Sequence, residues 1–473
     1  MKPPFTFLVR FRKHVYEYPD AVALVDAEEQ WTYRKLWNQA VQVANLLEQE
    51  CSEEELIGVN IAEGGTSYVY LIGVWLSGKA YVSIDPNWPA ERLKMILKES
   101  GVKFCWSRSS IADCGQLTLS FNEAEGIQNW ELRSFDLAYV LFTSGSTGVP
   151  KGVKISVQNL EGFLRHFLSE ERYDFLSSDR FLQSYDLTFD VSVMCYLLPW
   201  SIGATLYLPP KKGVKFLQLL KAQKDFEITV CSHVPSTLRY AGEKLSELSF
   251  PKLRYSFFSG DALYGLEAKR WLQVCPNAQV FNCYGPTETT IICTAEDLRL
   301  LDARYFEASK PLPLGAPFSG MDLQLIDGEI CFSGDQVFPG YLNAFPRFAE
   351  KGGKRFYCTG DLAYDDVQGK LIFDGRRDDQ VQIDGYRVEL TEIEGVFRKL
   401  LGVNLAAAVK TTHQGPTIVL WLEAEEQVLS EEIMKRAAQI LPTYALPKSI
   451  CGIKQLPLNP NGKLDRTALA NLR

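Results

Sequence analysis

The sequence predicts an α/β fold with a large N-terminal domain and a small C-terminal domain, and three observations lead to this prediction. Between residues 180 and 292, short apolar runs alternate with amphipathic segments, which is typical of βαβ units in a mostly parallel sheet. Between residues 315 and 375, glycines and turns are dense and the strand-like pieces are short, which is typical of a small β-rich subdomain. After residue 377 the pattern changes to α+β. We therefore expect an N-terminal domain over residues 1–377 and a C-terminal domain over residues 378–473.

The individual elements follow from the same patterns. The helix-like LWNQAVQVANLLEQE, the strand-like LIGVNIA, the helix-like SYVYLIGVWLSGK and the strand-like AYVSID predict a first α/β subdomain. A second one runs from the strand-like RFLQSY and the helix-like DVSVMCYLLPW to the strand-like AQVFNCYG, and DLQLI, GEICFSG and KLIFDG follow as short strands. In the C-terminal domain we expect a helix EIEGVFRKLL, strands LAAAVK and TIVLWLEA, and a helix over EEIMKRAAQILPTYALP.

Composition restricts the classes of function. Apolar residues make up 46% and charged residues 23% of the 473 residues, which is ordinary for a globular protein. The net charge of -8 comes without a long basic run, so nucleic acid and anionic membrane are not expected partners. The eleven scattered cysteines include no C-x-x-C pair and predict reduced thiols. Without a signal sequence or a run of about 20 apolar residues, a cytoplasmic location and no membrane insertion are expected.

The four histidines are too far apart in sequence to predict a zinc site, and any metal is expected to be magnesium carried by a nucleotide. The strongest local signal is TSGSTGVPKG (143–152), which follows the apolar run 137–142. A strand that leads into a loop of hydroxyl residues and glycines can close backbone N–H groups and hydroxyls around phosphate oxygens, and Lys151 adds positive charge. A surface turn is the alternative. The segment is not a Walker loop, because that motif needs Gly-Lys-Ser/Thr.

Eight segments occur in a fixed order along almost the whole chain: KAYVSIDPNWPAERL (79–93), LFTSGSTGVPKGV (141–153), FDVSV (189–193), NCYGPTETT (282–290), GEICFSGDQVFPGYLN (328–343), YCTGDL (357–362), GRRDDQVQIDGYRVEL (375–390) and PNGKLDR (460–466). Together they resemble the adenylate-forming (ANL) superfamily of acyl-CoA synthetases, luciferases and the adenylation domains of nonribosomal peptide synthetases. The resemblance implies a large N-terminal domain and a small, mobile C-terminal domain.

The resemblance also implies a binding site for ATP. The phosphate loop would be formed by Thr143, Ser144, Gly145, Ser146, Thr147, Gly148 and Lys151. Tyr284 would stack on adenine, Thr287 would bond the α-phosphate, Asp361 would accept hydrogen bonds from the ribose hydroxyls, and Arg376 would donate to ribose or phosphate. Glu288 would bind Mg²⁺ between phosphates. Lys463 would neutralise charge in the transition state, with Thr143 also assigned a catalytic role, and Asp378 would be the hinge.

Asp190, in FDVSV, points to the class of acid that is activated. A buried aspartate is costly unless it meets a cation, and in amino-acid-activating members of the superfamily the matching residue pairs with the α-ammonium group. The family alignment implies that Val191, Met194, His233, Phe257, Ser259, Cys283, Ile291 and Ile292 line the rest of the pocket. Their sizes and lack of charge favour alanine or glycine, then proline or serine. The build is similar to that of D-alanine:carrier-protein ligases, although a cysteine is expected where Ser259 stands.

The sequence therefore predicts a stand-alone amino acid:carrier-protein ligase that forms an aminoacyl adenylate. No carrier domain is recognisable in the chain, so the thiol acceptor is expected to be the phosphopantetheine of a separate carrier protein, with coenzyme A as the alternative. Two other functions remain open. An acyl-CoA synthetase acting on a non-amino acid is disfavoured by Asp190, and a catalytically silent scaffold is disfavoured by the presence of both Glu288 and Lys463.

Overall fold

A computed structural model describes residues 3–27, 29–111, 113–124, 126–145, 149–169, 172–307, 310–412, 415–424, 431–458 and 464–472. The α-helices in these ranges are α1 (Thr6–Glu17), α2 (Tyr33–Glu50), α3 (Gly65–Leu76), α4 (Ala90–Ser100), α5 (Val157–Ser169), α6 (Val191–Ile202), α7 (Lys215–Asp225), α8 (Ser236–Ala241), α9 (Gly265–Val274), α10 (Leu390–Leu401), α11 (Glu431–Ala437) and α12 (Arg466–Asn471).

The strands of the described residues are β1 (Val22–Val25), β2 (Gln30–Thr32), β3 (Leu56–Asn60), β4 (Ala80–Ile84), β5 (Phe104–Trp106), β6 (Gly115–Leu117), β7 (Leu137–Thr143), β8 (Lys151–Ser156), β9 (Arg180–Leu182), β10 (Thr205–Tyr207), β11 (Val230–His233), β12 (Tyr255–Phe258), β13 (Gln279–Tyr284), β14 (Thr294–Asp297), β15 (Ala316–Pro317), β16 (Met321–Ile326), β17 (Glu329–Gly334), β18 (Gly340–Tyr341), β19 (Phe348–Lys351), β20 (Lys354–Asp365), β21 (Leu371–Arg376), β22 (Gln380–Ile383), β23 (Tyr386–Glu389), β24 (Leu405–Thr412), β25 (Gly415–Glu423) and β26 (Ser449–Ile453).

Two large sheets form the body of the molecule. One has the strand order β18-β8-β7-β4-β3-β5-β6, and the other has the order β15-β14-β13-β12-β11-β9-β10-β1-β2. The strands from β7 to β6 in the first sheet, and from β13 to β1 in the second, run parallel. The strands at the remaining edges pair antiparallel. These sheets confirm the predicted fold class.

Helices α3 and α6 lie between the two large sheets. The sequences GTSYVYLIGVWL and VSVMCYLLPWSI are apolar nearly all round, which is the composition of a helix that is buried on every side. Tyr68 of α3 makes an edge contact with Tyr196 of α6, and the Tyr196 hydroxyl shares a 2.8 Å hydrogen bond with Tyr81 of β4. This packing fixes the start of α6, where Asp190 stands.

Two smaller units follow the large sheets. Strands β16, β17, β19, β20 and β21 form an antiparallel sheet, as the density of turns predicts. Further along, β22 and β23 form a hairpin, and β24, β25 and β26 form a sheet against which α10 and α12 pack. Side chains between Ile383 and Ile450 build a hydrophobic cluster of their own. The domain division after residue 377 stays a prediction.

The last predicted helix is shorter than expected. Helix α11 ends at Ala437, and a 3₁₀ turn over Thr443–Ala445 follows. Pro442 disfavours the helical conformation of the residue before it, which explains why the helix does not continue through ILPTYALP. Within the described ranges, no helix is both long and apolar enough to cross a lipid bilayer.

Candidate active site

A cavity of about 930 Å³ lies where the second sheet meets the β22–β23 hairpin. Its floor is formed at the carboxyl ends of the parallel strands β9, β12 and β13, the edge at which open α/β sheets bind ligands. The opposite wall comes from the hairpin and from residues 441–446. Residues far apart in the chain therefore face one another across a single space.

The hairpin enters the cavity because its turn is tight. Asp384 and Gly385 both have positive φ, 54° and 83°, as a two-residue type I′ turn requires. A Cβ at Gly385 would lie 2.9 Å from the Val234 side chain, so glycine permits the close approach of the turn to the body. The next residues, Tyr386 and Arg387, line the cavity.

Glu288 is fully buried and is held by two donors. Tyr341 Oη donates a 2.7 Å hydrogen bond to its Oε1, and Arg387 Nη1 donates to both carboxylate oxygens, at 3.0 and 2.9 Å. Burial alone raises the pKa of Glu288, but the Arg387 charge and the Tyr341 hydroxyl outweigh it and lower the pKa. The carboxylate is therefore ionised, and in this arrangement Arg387 neutralises it.

The turn after Glu288 has a strained backbone. Thr290 and Ile291 have φ values of 61° and 74°, which β-branched residues rarely adopt. Buried Gln336 holds the turn, because its Nε2 donates to the carbonyls of Thr289, Thr290 and Ile292 at 3.3, 3.1 and 2.8 Å. Strain of this kind costs about 1–3 kcal/mol per residue and persists only where the surroundings enforce it. Gln336 is thus a structural support for the Glu288 turn.

Asp361 on β20 is a buried carboxylate at another side of the cavity. Tyr284 Oη donates a 2.5 Å hydrogen bond to Asp361, and Arg376 Nη1 forms an ion pair with it. Burial raises the pKa of Asp361 despite the opposing effect of Arg376. Arg376 also donates to both carboxylate oxygens of Asp378, at 2.7 and 2.8 Å. Arg376 therefore connects the predicted ribose ligand Asp361 to the predicted hinge Asp378.

The described part of the predicted phosphate loop borders the same cavity. Thr143, at the end of β7, lines the cavity, and its buried Oγ1 has no hydrogen-bond partner. Ser144 also lines the cavity and donates a 2.8 Å hydrogen bond to the carbonyl of Arg387. A Cβ at Gly145 would lie 2.1 Å from the Val149 carbonyl oxygen, so only glycine fits at this position. The Thr143 hydroxyl is thus available to an anion, whereas the Ser144 hydroxyl is used in the contact with the hairpin.

Lys151 begins β8, with its Nζ 5.8 Å from the centre of the Tyr341 ring. Tyr341 itself donates to Glu288, so the lysine lies on the Glu288 side of the site. Four predicted site residues lie outside the described residues: Ser146, Thr147, Gly148 and Lys463.

Asp190 is a buried carboxylate just before α6, and it lines the cavity. Only 7% of the residue is exposed, and its side chain makes no capping hydrogen bond to α6. The Ile291 amide instead donates to its Oδ2 over 3.3 Å. Burial raises the pKa of Asp190 to about 7, with the Thr287 hydroxyl acting in the opposite direction. Among the described residues, no cation is close enough to pair with this carboxylate.

The other predicted pocket residues fall into separate groups. Val191, Ser259 and Cys283 line the large cavity beside Asp190. Met194 and Phe257 line a second cavity of about 10 Å³.

The remaining three predicted pocket residues are buried. His233 Nε2 lies 2.9 Å from Gln223 Oε1, and burial lowers the pKa of His233 to about 4. Ile291 and Ile292 are buried in the strained turn. Sequence reasoning placed all of these residues around one substrate pocket.

Sequence reasoning also missed residues that border the site: Arg387, Tyr341, Gln336 and Tyr185. Asp384-Gly385 is a hairpin signal, so a turn at this position was foreseeable. The turn signal does not predict which side chain of the hairpin contacts Glu288. Tyr185 follows β9 and precedes Asp190 by five residues, a position at the carboxyl end of a parallel strand that is typical of ligand contacts.

Comparisons with known proteins agree with this geometry. The family model described as AMP-binding enzyme matches residues 11–342. Zwittermicin A synthase ZmaJ of Bacillus cereus is 31% identical over 501 residues, which cover 98% of this chain and 94% of the relative. Tyrocidine synthase 3 of Brevibacillus parabrevis is 29% identical over 497 residues, which cover 97% of this chain. This chain spans only 8% of the length of that synthase.

Solved structures share the fold. Holo-PA1221, described as an NRPS protein containing adenylation and PCP domains, superimposes with a TM-score of 0.83 at 25% identity, over 98% of this chain and 84% of that one. The Vibrio cholerae adenylation domain AlmE, solved with glycyl-adenosine-5'-phosphate, superimposes with a TM-score of 0.85 at 23% identity, over 99% of this chain and 98% of that one. The extent of the family match and the full-length similarity to ZmaJ show that the chain belongs to the family of AMP-binding enzymes.

Proposed function

We propose that the protein activates an amino acid with ATP as an aminoacyl adenylate and then transfers the aminoacyl group to a thiol. The observation that carries this proposal is Asp190, a buried carboxylate without a cation partner among the described residues, in a cavity that also contains the Asp361–Arg376 pair. A buried carboxylate of this kind is complementary to the ammonium group of an amino acid. AlmE, which shares the fold, was solved with glycyl-adenosine-5'-phosphate, an aminoacyl adenylate of the class proposed here.

In this proposal the side chains that bind ATP lie on different sides of the cavity. Asp361 accepts hydrogen bonds from the ribose, and Tyr284 stacks on the adenine. The hydroxyls of Thr143 and Thr287 and the backbone of the 143–148 loop surround the phosphates, with Lys151 and Arg376 adding positive charge. The amino acid carboxylate attacks the α-phosphorus, the bond from that phosphorus to the α,β-bridging oxygen breaks, and pyrophosphate leaves. No protein nucleophile or base takes part, because the attacking carboxylate is already ionised.

Magnesium fits the donor set only in part of the cycle. Buried Glu288 offers the hard oxygen ligands that Mg²⁺ prefers, and the unpartnered Thr143 Oγ1 is a further oxygen donor at the cavity. Arg387 engages both Glu288 oxygens in this structure, so it must withdraw before the carboxylate can hold a metal. When bound, Mg²⁺ would neutralise phosphate charge.

This competition for Glu288 supports an alternation between two arrangements. Arg387 belongs to the proposed C-terminal domain (378–473), whereas Glu288 belongs to the proposed N-terminal domain (1–377). We assign Asp378 as the hinge and Lys463 as the catalytic lysine of the adenylation step. In that step Lys463 stabilises charge at the α-phosphate, and for thioester formation the domain rotates so that the hairpin occupies the site.

The proposed acceptor is the phosphopantetheine thiol of a separate carrier protein, and the proposed substrate is a small amino acid. PA1221 combines adenylation and PCP domains, which supports a carrier as the partner of this fold. The alternative is an acyl-CoA synthetase acting on a non-amino acid. Replacing Asp190 by alanine separates the two, because activity with the amino acid then falls far more than activity with its des-amino analogue. An equal loss of activity with both acids would contradict an ion pair between Asp190 and the ammonium group.

Exchange of labelled pyrophosphate into ATP tests the first half-reaction, run over a panel of amino acids that includes both enantiomers of alanine. The proposal expects exchange that depends on a small amino acid. Loading of a holo carrier protein, compared with coenzyme A, tests the second half-reaction. Pyrophosphate exchange that is equally fast with acids lacking an α-amino group would overturn the assignment of an amino acid as the substrate.

A further inference from the structure

The predicted amino-acid pocket is divided between two cavities. Val191, Ser259 and Cys283 line the cavity of about 930 Å³ next to Asp190. Met194 and Phe257 line the separate cavity of about 10 Å³, too small to hold more than about one water molecule. Something therefore lies between the two parts of a pocket that the sequence predicts to be continuous.

Tyr185 lies at this division. It lines the large cavity, only 7% of it is exposed, and its Oη is 3.2 Å from the carbonyl oxygen of Ser259 and 3.3 Å from Ser259 Oγ. Burial raises the pKa of Tyr185, and the hydroxyls of Ser259 and Ser232 act in the opposite direction. Ser259 follows β12 two residues after Phe257, and Phe257 pairs with Ser232 of β11. Phe257 and Ser232 both line the small cavity, so the hydrogen bond to Ser259 places the phenol group next to the strand residues that form that cavity.

The position of the ring is fixed by its hydrogen bond. The Tyr185 hydroxyl donates to a buried carbonyl, and swinging the ring away would leave buried polar groups unpaired. The neighbouring side chains on the small-cavity side are apolar or weakly polar: Phe181, Met194, Cys195, Leu198, Val230, Cys231 and Phe257. Without the ring, this lining would suit a larger apolar side chain.

We propose that Tyr185 is a specificity-determining residue that shortens the side-chain pocket, so that the substrate is an amino acid whose side chain is a hydrogen, a methyl or a hydroxymethyl group. This inference rests on the proposed amino acid adenylation and deepens it. It replaces the reasoning from His233 and Phe257, since neither lines the large cavity. The limit on substrate size then comes from a residue before α6.

Pyrophosphate exchange with glycine, alanine, valine, leucine and phenylalanine tests the proposal in the full chain. Wild type is expected to use glycine or alanine best. In Tyr185→Ala the ratio of kcat/KM for leucine to that for alanine should rise by at least about tenfold, because one methylene in an apolar pocket already changes specificity about 10–200-fold. Tyr185→Phe keeps the volume of the ring but removes the hydrogen bond that fixes it, so this ratio should rise less than in Tyr185→Ala.

Leu198→Ala is the matched control. Leu198 lines only the small cavity, so this change enlarges that cavity without removing the division, and the order of substrates should stay as in wild type. Tyr185→Leu serves as a second variant if Tyr185→Ala does not fold, with a smaller shift in the same direction expected.

Three outcomes would overturn the inference while the proposed function stands. The first is a folded Tyr185→Ala or Tyr185→Leu protein with the wild-type order of substrates, and the second is a Leu198→Ala protein that gains leucine as strongly. The third needs no variant: wild type that uses leucine or phenylalanine better than alanine contradicts the proposed limit while amino acid adenylation stands. If no amino acid supports exchange in wild type, the proposed function fails, and the inference fails with it.

Discussion

Asp190 should make both amino acid recognition and folding stability depend on pH. Its pKa is raised from 3.8 to about 7 by burial, so the carboxylate is mostly protonated below pH 7 in the empty site. A neutral carboxyl group cannot pair with an ammonium group. We therefore expect kcat/KM for the amino acid to fall about tenfold per pH unit below 7 and to level off above it.

The effect on stability has the opposite sign. Because the pKa of Asp190 is higher in the folded than in the unfolded chain, the folded state loses stability as the pH rises from about 4 to 7. At 1.36 kcal/mol per unit, the rise from 3.8 to about 7 corresponds to roughly 4 kcal/mol as an upper bound. Asp190→Asn cannot ionise. At pH 8 this variant should be more stable than wild type by up to that amount, and at pH 4 the two should be nearly equal.

Denaturant unfolding between pH 4 and 8 measures the difference in stability, and pyrophosphate exchange between pH 5.5 and 8 measures recognition. Asp374→Asn is a suitable control, because Asp374 is exposed on β21 and forms no ion pair among the described residues. Its stability should follow wild type throughout. Parallel stability curves for wild type and Asp190→Asn, or a flat kcat/KM for the amino acid across this pH range, would refute the assignment of a buried, unpaired carboxylate.

Four other changes test the support of the site and the proposed alternation. Gln336→Leu should destabilise the protein by about 3 kcal/mol in denaturant unfolding, because it leaves buried carbonyls of the strained turn unpaired; a loss below about 0.5 kcal/mol would contradict that role. Arg387→Met should slow aminoacyl transfer to the carrier at least about tenfold while sparing pyrophosphate exchange, since only the hairpin arrangement uses its pair with Glu288; equal losses in both assays would argue against it. Asp378→Pro fixes φ near -65° and should likewise slow transfer in a folded protein but leave exchange largely intact. Lys463→Ala should do the reverse, abolishing exchange but sparing transfer from a preformed adenylate, and a block of both steps would count against alternation.

Much of the fold could be predicted because local patterns decide it. The sequences of α3 and α6 are apolar on all sides, which predicts buried helices, and both helices are buried in the structure. The run before Thr143 predicts β7, and Asp384-Gly385 has the composition of a two-residue hairpin turn. In each case the information lies within a few neighbouring residues.

The sequence by itself determined the class of fold, the family, and the presence of an aspartate at the start of a buried helix. Only the tertiary structure decided what surrounds that aspartate. Whether Phe257 or Tyr185 borders the substrate space depends on how side chains from β9, β12 and α6 fill one volume, and no local pattern encodes that competition. The pairing of Arg387 with Glu288 likewise joins residues from distant segments. Such contacts depend on the packing of the whole chain, because the residues that fill one cavity or pair their charges come from segments that are far apart in the sequence.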